Sequence, residues 1–286
     1  MSAADLAMYQ SKNDGRNRVT CYLEHMGSPT RTNLLWQHRL RQALDLNQFV
    51  LSAQPIVDLV TGRVVLYELL LRLRREDGTL LLPSAFLSTA DRLGLLHEID
   101  RWVVRQAVRA LKASRDAGTP VRIAANLSPR AFGDPGIAEA IRDEAAAIGI
   151  EPAGLVLEVT EDAAIRDIEQ ARDFMQELRK VGCEFALDDF GVGLSSLSRL
   201  KDLPVDYLKI DGAFIRRLAH SPLDQQLVQG IVGLARALGT WTVAEHVEDA
   251  ESLELLRAYG VDYAQGYLLG EPMPMSRWLQ EVREAA

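Results

Sequence analysis

From about residue 50 onward, short apolar or β-branched runs alternate with longer segments of helical periodicity, and this alternation constrains the fold more than any other feature. Eight runs read as strands: Val50 to Ile56, Arg63 to Leu69, Val121 to Asn126, Leu155 to Glu158, Glu184 to Asp188, Asp206 to Ile210, Trp241 to Glu245 and Asp262 to Gln265. Amphipathic helical segments lie between them, among them Ile99 to Ala113, Asp167 to Val181, Gln225 to Leu238 and Ala250 to Tyr259, with a last one near Ser276 to Glu284. Eight strands in about 240 residues fit an α/β fold of the TIM-like (β/α)8 barrel type, whose usual size is about 250 residues. A doubly wound open sheet is the alternative. The first two strands are joined only by Val57 to Gly62, which is hairpin length and too short for a parallel crossover. One antiparallel strand in an otherwise parallel barrel is therefore expected.

Polar residues recur at the C-terminal tips of the proposed strands: Glu68, Asn126, Glu158, Asp188 with Asp189, Lys209 with Asp211, Glu245 and Gln265. In a β/α barrel these tips converge on one face, where active sites are built. A single such residue could cap the next helix or sit in a solvated loop, and Asp188-Asp189 ahead of Phe190-Gly191 could by itself be a turn. Repetition on seven strands is harder to explain by capping, because Glu and Lys are poor N-caps. Adjacent carboxylates also resist burial unless a cation neutralises them. Carboxylates and one amide, with no His or Cys, select a hard cation such as Mg²⁺ or Mn²⁺ over Zn²⁺. Five acidic tips exceed the needs of one Mg²⁺. They suggest two ions sharing a bridging carboxylate, Asp188, in the arrangement used for in-line attack on a phosphodiester at a metal spacing of about 3.5–4 Å. Lys209 could then hydrogen-bond the attacking hydroxide or the charge developing on phosphorus oxygens.

Composition removes several other classes. The 286 residues are 48% hydrophobic and 25% charged, as in ordinary globular proteins, and the formal net charge of -8 argues against binding a nucleic-acid polymer. No membrane-length apolar stretch or secretory pattern appears, so the chain reads as cytoplasmic, with any membrane anchor expected outside it. Cys21 and Cys183 form neither a zinc spacing nor a redox pair, and the five histidines are scattered.

Residues from about 40 to 286 resemble an EAL domain, the family of cyclic di-GMP phosphodiesterases. The resemblance rests on Gln54-Pro55-Ile56-Val57, Glu68-Leu69-Leu70-Leu71-Arg72, Asn126-Leu127-Ser128, Glu158-Val159-Thr160-Glu161, Asp188-Asp189-Phe190-Gly191-Val192-Gly193-Leu194-Ser195-Ser196, Lys209-Ile210-Asp211, Ala244-Glu245-His246-Val247-Glu248 and Gln265-Gly266-Tyr267, in this order. It implies a TIM-like barrel with an antiparallel strand and hydrolysis of cyclic di-GMP to linear pGpG with Mg²⁺ or Mn²⁺, two ions per site. By motif, Glu68, Asn126, Glu158 and Asp188 would hold one metal, and Asp188, Asp189 and either Glu245 or waters the second. Lys209 would orient the nucleophilic water with help from Gln265. Glu161 would hold the loop after Asp189, with Glu248 nearby. Gln54, Leu70, Arg72 and Asp211 would contact the dinucleotide, Arg72 being suited to phosphate. A homodimer formed through helices near residues 188 to 200 is expected by the same analogy.

Three departures stand out. Leu69 replaces the alanine of the signature tripeptide and should point away from the face of Glu68, since side chains alternate along a strand. His246 stands where the family usually has glycine. Val192 and Leu194 stand where threonine and tyrosine are frequent. A receptor that binds cyclic di-GMP without cleaving it is the main alternative, and it would be marked by missing acids; a metal-dependent lyase of the enolase type would explain the carboxylates but not the other motifs.

The first 48 residues read differently. Residues 1–23 resemble the final helix and strand of a GGDEF diguanylate cyclase domain without its signature, which implies an upstream GGDEF domain in a longer protein. Residues 24–48 read as a linker and entry helix bearing Leu34-Leu35-Trp36 and Leu40, and residues 49–286 as the EAL domain.

Overall fold

The computed structural model describes residues 29–46, 48–192 and 200–284. The expected GGDEF-like segment 1–23, Cys21 and the loop residues Gly193, Leu194, Ser195 and Ser196 lie outside them. Two compact units divide the chain: Met1–Leu51 with Leu71–Ile99, and Ser52–Leu70 with Asp100–Ala286.

The larger unit is a closed barrel. Its strands are β1 (Phe49–Asp58), β2 (Val64–Arg74), β4 (Arg122–Asn126), β5 (Leu155–Thr160), β6 (Glu184–Phe190), β7 (Tyr207–Ile210), β8 (Trp241–Ala244) and β9 (Tyr263–Ala264), where β3 is the pair Leu80–Leu81 described below. Hydrogen bonds run in the order β1-β9-β8-β7-β6-β5-β4-β2, and a β1–β2 pairing closes the ring. Closure excludes the open sheet. Every pair from β2 through β9 is parallel, whereas β1 is antiparallel to β9 and turns into β2 through a tight link in which Asp58 N–H donates to Arg63 O at 2.9 Å. The short connection therefore has the predicted consequence. A two-residue strand, β10 (Met273–Pro274), adds outside β1; it is too short to leave a periodic signal in the sequence.

Each strand is sandwiched by its alternation. Ile56, Leu66, Ala124, Val156, Ala186, Tyr207 and Val243 form one buried layer inside the barrel. Neighbours of opposite parity, such as Ile210, Ala244 and Ala264, pack outward with Val228 and Val232 of α8 (Pro222–Leu238) and Leu253 and Leu256 of α9 (Ala250–Tyr259). The other long helices of this unit are α4 (Gly136–Ile148), α6 (Ile168–Lys180) and α10 (Met275–Glu284), with the single-turn α5 (Glu161–Arg166) and α7 (Gly212–Ile215) at strand ends. Local sequence starts and stops them. Asp167, Ser221 and Asp249 each accept a backbone N–H of the first turn, and Gly149, Gly239 and Gly260 end their helices in the left-handed conformation.

The smaller unit contains α1 (Pro29–Asp45), β3 antiparallel to the end of β2 (Leu73↔Leu81), and α2 (Leu87–Arg92). Leu40, Ala43, Phe49 and Phe86 are buried in it, the two rings 5.7 Å apart. Helix α3 (Leu96–Asp116) leads from this unit into the barrel. Among the described residues, no helix is long and apolar enough to cross a membrane.

Candidate active site

The site is the barrel's next interior layer. On the parallel strands, each polar tip follows an interior apolar residue by two positions: Leu66 and Glu68, Ala124 and Asn126, Val156 and Glu158, Ala186 and Asp188, Tyr207 and Lys209, Val243 and Glu245, Tyr263 and Gln265. A step of two keeps a side chain on the same face. Because β1 runs the other way, its contribution precedes the apolar residue: Gln54 comes before Ile56. Eight strands thus bring Gln54, Glu68, Asn126, Glu158, Asp188, Lys209, Glu245 and Gln265 to one level.

Lys209 stands at the centre. Its Nζ lies 2.7 Å from Glu158 Oε2, 2.7 Å from Glu245 Oε1, 3.2 Å from Asp188 Oδ1 and 3.4 Å from Glu68 Oε2. Asn126 Nδ2 donates to Glu68 Oε1 at 2.6 Å, and Gln265 Nε2 donates to Glu68 Oε2 at 2.8 Å and to Gln54 Oε1 at 3.1 Å. Gln54 in turn donates to the carbonyl of Gly270 at 3.0 Å, and a side chain on Gly270 would strike Pro55. One ammonium therefore faces four carboxylates. Burial alone would push the Lys209 pKa down, but Asp188, Glu158, Glu245 and Glu68 together hold it well above its ordinary value.

The acids share that one charge unevenly. Burial raises Glu158 well above the usual carboxylate range, and the neighbouring Glu68 raises it further. Glu68 is buried as well, yet Lys209 and the amides of Gln265 and Asn126 hold it below its ordinary value. Lys209 and then those amide donors thus shift Glu68 in the opposite direction from Glu158. Burial, offset only in part by Lys209 and reinforced by Asp188, pushes Glu245 up to about 8. Asp189 is pushed up to about 6, by partial burial, by Asp188 and by Asp211.

Asp188, Asp189 and Glu245 each offer an oxygen within 4.8 Å of the others, a spacing that suits one cation. Among the described residues none makes a hydrogen bond to the buried Asp188 Oδ1, although the Lys209 ammonium is 3.2 Å away. A surplus of buried carboxylates, raised acid pKa values and a carboxylate oxygen without a hydrogen-bond donor suit a hard cation. The donor set fits Mg²⁺ or Mn²⁺ in kind: carboxylates and an amide.

The remaining predicted residues fall around this layer. Glu161, the first residue of α5, accepts the backbone N–H of Gly191 at 3.0 Å and so ties the start of the β6 loop to the β5 tip. Asp211 caps α7, accepting from Ala213 N–H at 2.6 Å, and interacts with Asp189. Leu70 is half-buried near the end of β2, while Leu69 is fully buried on the opposite face from Glu68, as alternation requires. Arg72 belongs to the smaller unit, where it donates to the carbonyl of Leu71 at 2.8 Å. Glu248 is exposed, as is Val192.

The left-handed backbone of two site residues is not visible in the sequence pattern. Asp189 (φ 55°) and His246 (φ 54°) are the only non-glycine residues with positive φ among those described. That conformation gives a physical account of the His246 departure, since it is one that glycine adopts without cost. Gly212 and Gly266 are packing positions as well. A Cβ on Gly212 would overlap the His246 ring, and one on Gly266 would overlap the Val247 backbone. The signal that could have found them is a glycine directly following Asp211 or Gln265 at a strand tip.

Comparison with known proteins agrees with this geometry. The family profile described as EAL domain matches residues 37–272. The chain is 39% identical over 283 residues to the bifunctional diguanylate cyclase/cyclic di-GMP phosphodiesterase MucR of Pseudomonas aeruginosa, covering 99% of the chain and 41% of that protein. It is 40% identical over 252 residues to the cyclic di-GMP phosphodiesterase PdeF of Escherichia coli, covering 87% of the chain and 34% of that protein. Among solved structures, a c-di-GMP complex of the PaMucR phosphodiesterase aligns with a TM-score of 0.80 at 39% identity, covering 85% of this chain and 99% of that one. The chain thus spans between 34% and 41% of the length of these two curated relatives.

Proposed function

The chain belongs to the EAL domain family, and from that premise we propose that it is a metal-dependent phosphodiesterase that hydrolyses cyclic di-GMP to linear pGpG. The observation that supports this most is the complete polar layer: no acid, amide or lysine of the motif set is absent, and eight strands contribute to it. In this reading Glu68, Asn126, Glu158 and Asp188 hold one Mg²⁺ or Mn²⁺, and Asp188, Asp189 and Glu245 the second. Divalent ions in such a site polarise the phosphoryl oxygens and make a bound water acidic. Lys209 orients the attacking water and donates to charge developing on phosphorus oxygens, while Gln265, held against Glu68 and Gln54, keeps the first carboxylate aimed. Gln54, Leu70, Arg72 and Asp211 recognise the dinucleotide. Glu161 keeps the loop after Asp189 in register through Gly191.

Around this core we retain a homodimer and, for residues 1–23, the tail of an upstream GGDEF domain. Sedimentation of the purified chain tests the first. The deciding experiment is turnover: with Mn²⁺ the protein should convert cyclic di-GMP to pGpG, and Glu68→Ala should abolish conversion. Tight nucleotide binding with no product would replace the enzyme by a receptor.

A further inference from the structure

The turn that carries Glu245 is held from three sides. Glu245 N–H donates to Ile210 O at 3.2 Å, Val247 N–H donates to Gln265 O at 3.0 Å, and the Val247 backbone lies so close over Gly266 that no side chain fits there. The residue between these two anchors is His246. With both flanking amides committed to neighbouring strand tips, the chain passes through His246 in the left-handed region, at φ 54°. A non-glycine residue is strained there and persists only where its surroundings over-determine it. The imidazole supplies a fourth contact, because it covers Gly212, the residue after the helix cap Asp211, and occupies the space a Cβ would need.

We propose that the left-handed turn at His246 is a positioning element: its backbone direction aims Glu245 into the acidic trio with Asp188 and Asp189, while the ring lies over Gly212. The proposal deepens the reading of the trio as a cation site and rests on it. His246 itself needs no contact with metal or substrate. What it supplies is the direction of the chain immediately after Glu245, whose Oε1 reaches Lys209 Nζ at 2.7 Å and whose carboxylate closes the trio. Glycine at this position adopts the same φ readily, whereas a β-branched residue resists it. Alanine at position 212 should displace the ring from its near end, since the overlap involves Cβ and Cγ of His246 as well as Cδ2.

The test combines Mn²⁺ affinity, read by calorimetry, with the thermal unfolding midpoint of the metal-free protein. His246→Gly should bind Mn²⁺ within about twofold of wild type, while His246→Val and Gly212→Ala should each weaken it by about tenfold or more, the range seen when groups that orient metal ligands are removed. The double variant Gly212→Ala/His246→Gly should regain the affinity lost by Gly212→Ala, because the overlapping ring is gone. Gly212→Ala should also lower the unfolding midpoint, and His246→Gly should restore it. Should His246→Val fail to fold, the Gly212→Ala pair still decides. Equal losses in His246→Gly and His246→Val, or no rescue in the double variant, would overturn the proposal. A wild-type protein that binds no Mn²⁺ would instead sink the cation-site reading, and the unfolding midpoints would still report whether the clasp exists.

Discussion

The two ends of the barrel are built from the same strands and treat charge in opposite ways. At the N-terminal end, Arg122 of β4 donates to Glu184 of β6 at 3.1 Å, and the Tyr207 hydroxyl of β7 donates to the other Glu184 oxygen at 2.7 Å. One cation meets one anion, and an aromatic hydroxyl satisfies what is left. Tyr207, Tyr263 and Trp241 pack ring against ring around this end. Four residues along β6 and two along β7, the same strands offer Asp188 and Lys209, and there one buried ammonium faces four carboxylates. The first arrangement is electrically closed. The second holds more carboxylates than one ammonium can balance, so some of them are pushed toward their protonated forms and the group is suited to receive cations.

Removing the single cation should have the largest effect on this contrast. Lys209→Met leaves buried carboxylates without a partner and should destabilise the metal-free protein by about 3 kcal/mol near neutral pH, a typical cost for breaking a buried pair. Mn²⁺ should recover much of that stability while turnover stays lost. Chemical denaturation with and without Mn²⁺ checks this, and an undiminished stability in the metal-free variant would mean that the top layer is as balanced as the bottom.

The pH dependence should follow next. Glu245 is raised from 4.5 to about 8 and Asp189 from 3.8 to about 6. An acid with a raised pKa binds more protons folded than unfolded, so its contribution to stability is full below its ordinary value and is lost as pH rises through the folded value. Metal-free protein should therefore lose stability from about pH 4.5 to about 8. Glu68 works in the opposite sense, but only below its ordinary 4.5. Mn²⁺ binding should release protons across the same window and raise the unfolding midpoint most at its upper end. A flat stability profile, with no proton release on titration with Mn²⁺, would contradict the proton-laden site.

The smallest effect belongs to the closed end. Glu184→Gln removes a half-exposed ion pair with Arg122 and should cost under about 1 kcal/mol. Mn²⁺ affinity and turnover should stay at wild-type values. A large loss of either would show that the two ends are coupled through the barrel.

Much of this was legible before any coordinates. All eight barrel strands appear as apolar or β-branched runs, and the hairpin-length link after Val57 announces the reversed β1. The strand tips name every member of the polar layer except Gln54, because a two-residue step past an apolar position keeps a side chain on the inner face. Gln54 lies within the reversed β1 and enters only through the family motif. The short pairings β3 and β10 left no signal: two residues carry no period, and the partner of β10 is distant in sequence. The left-handed turns at Asp189 and His246 were equally hidden, since neither residue is one that the conformation favours as glycine is favoured.

By itself, then, the sequence determined the eight barrel strands, which face of each parallel strand is polar at its tip, and that the chemistry is that of carboxylates, amides and one lysine. Those are local properties, set by alternation and residue type. Only the tertiary structure decided that one lysine serves four acids, that Glu68 is held below and Glu158 above the ordinary carboxylate range, and that His246 turns left-handed with its ring over Gly212. Closure of the barrel brings together groups from strands far apart in the chain. The charge each acid carries depends on the neighbours that closure supplies.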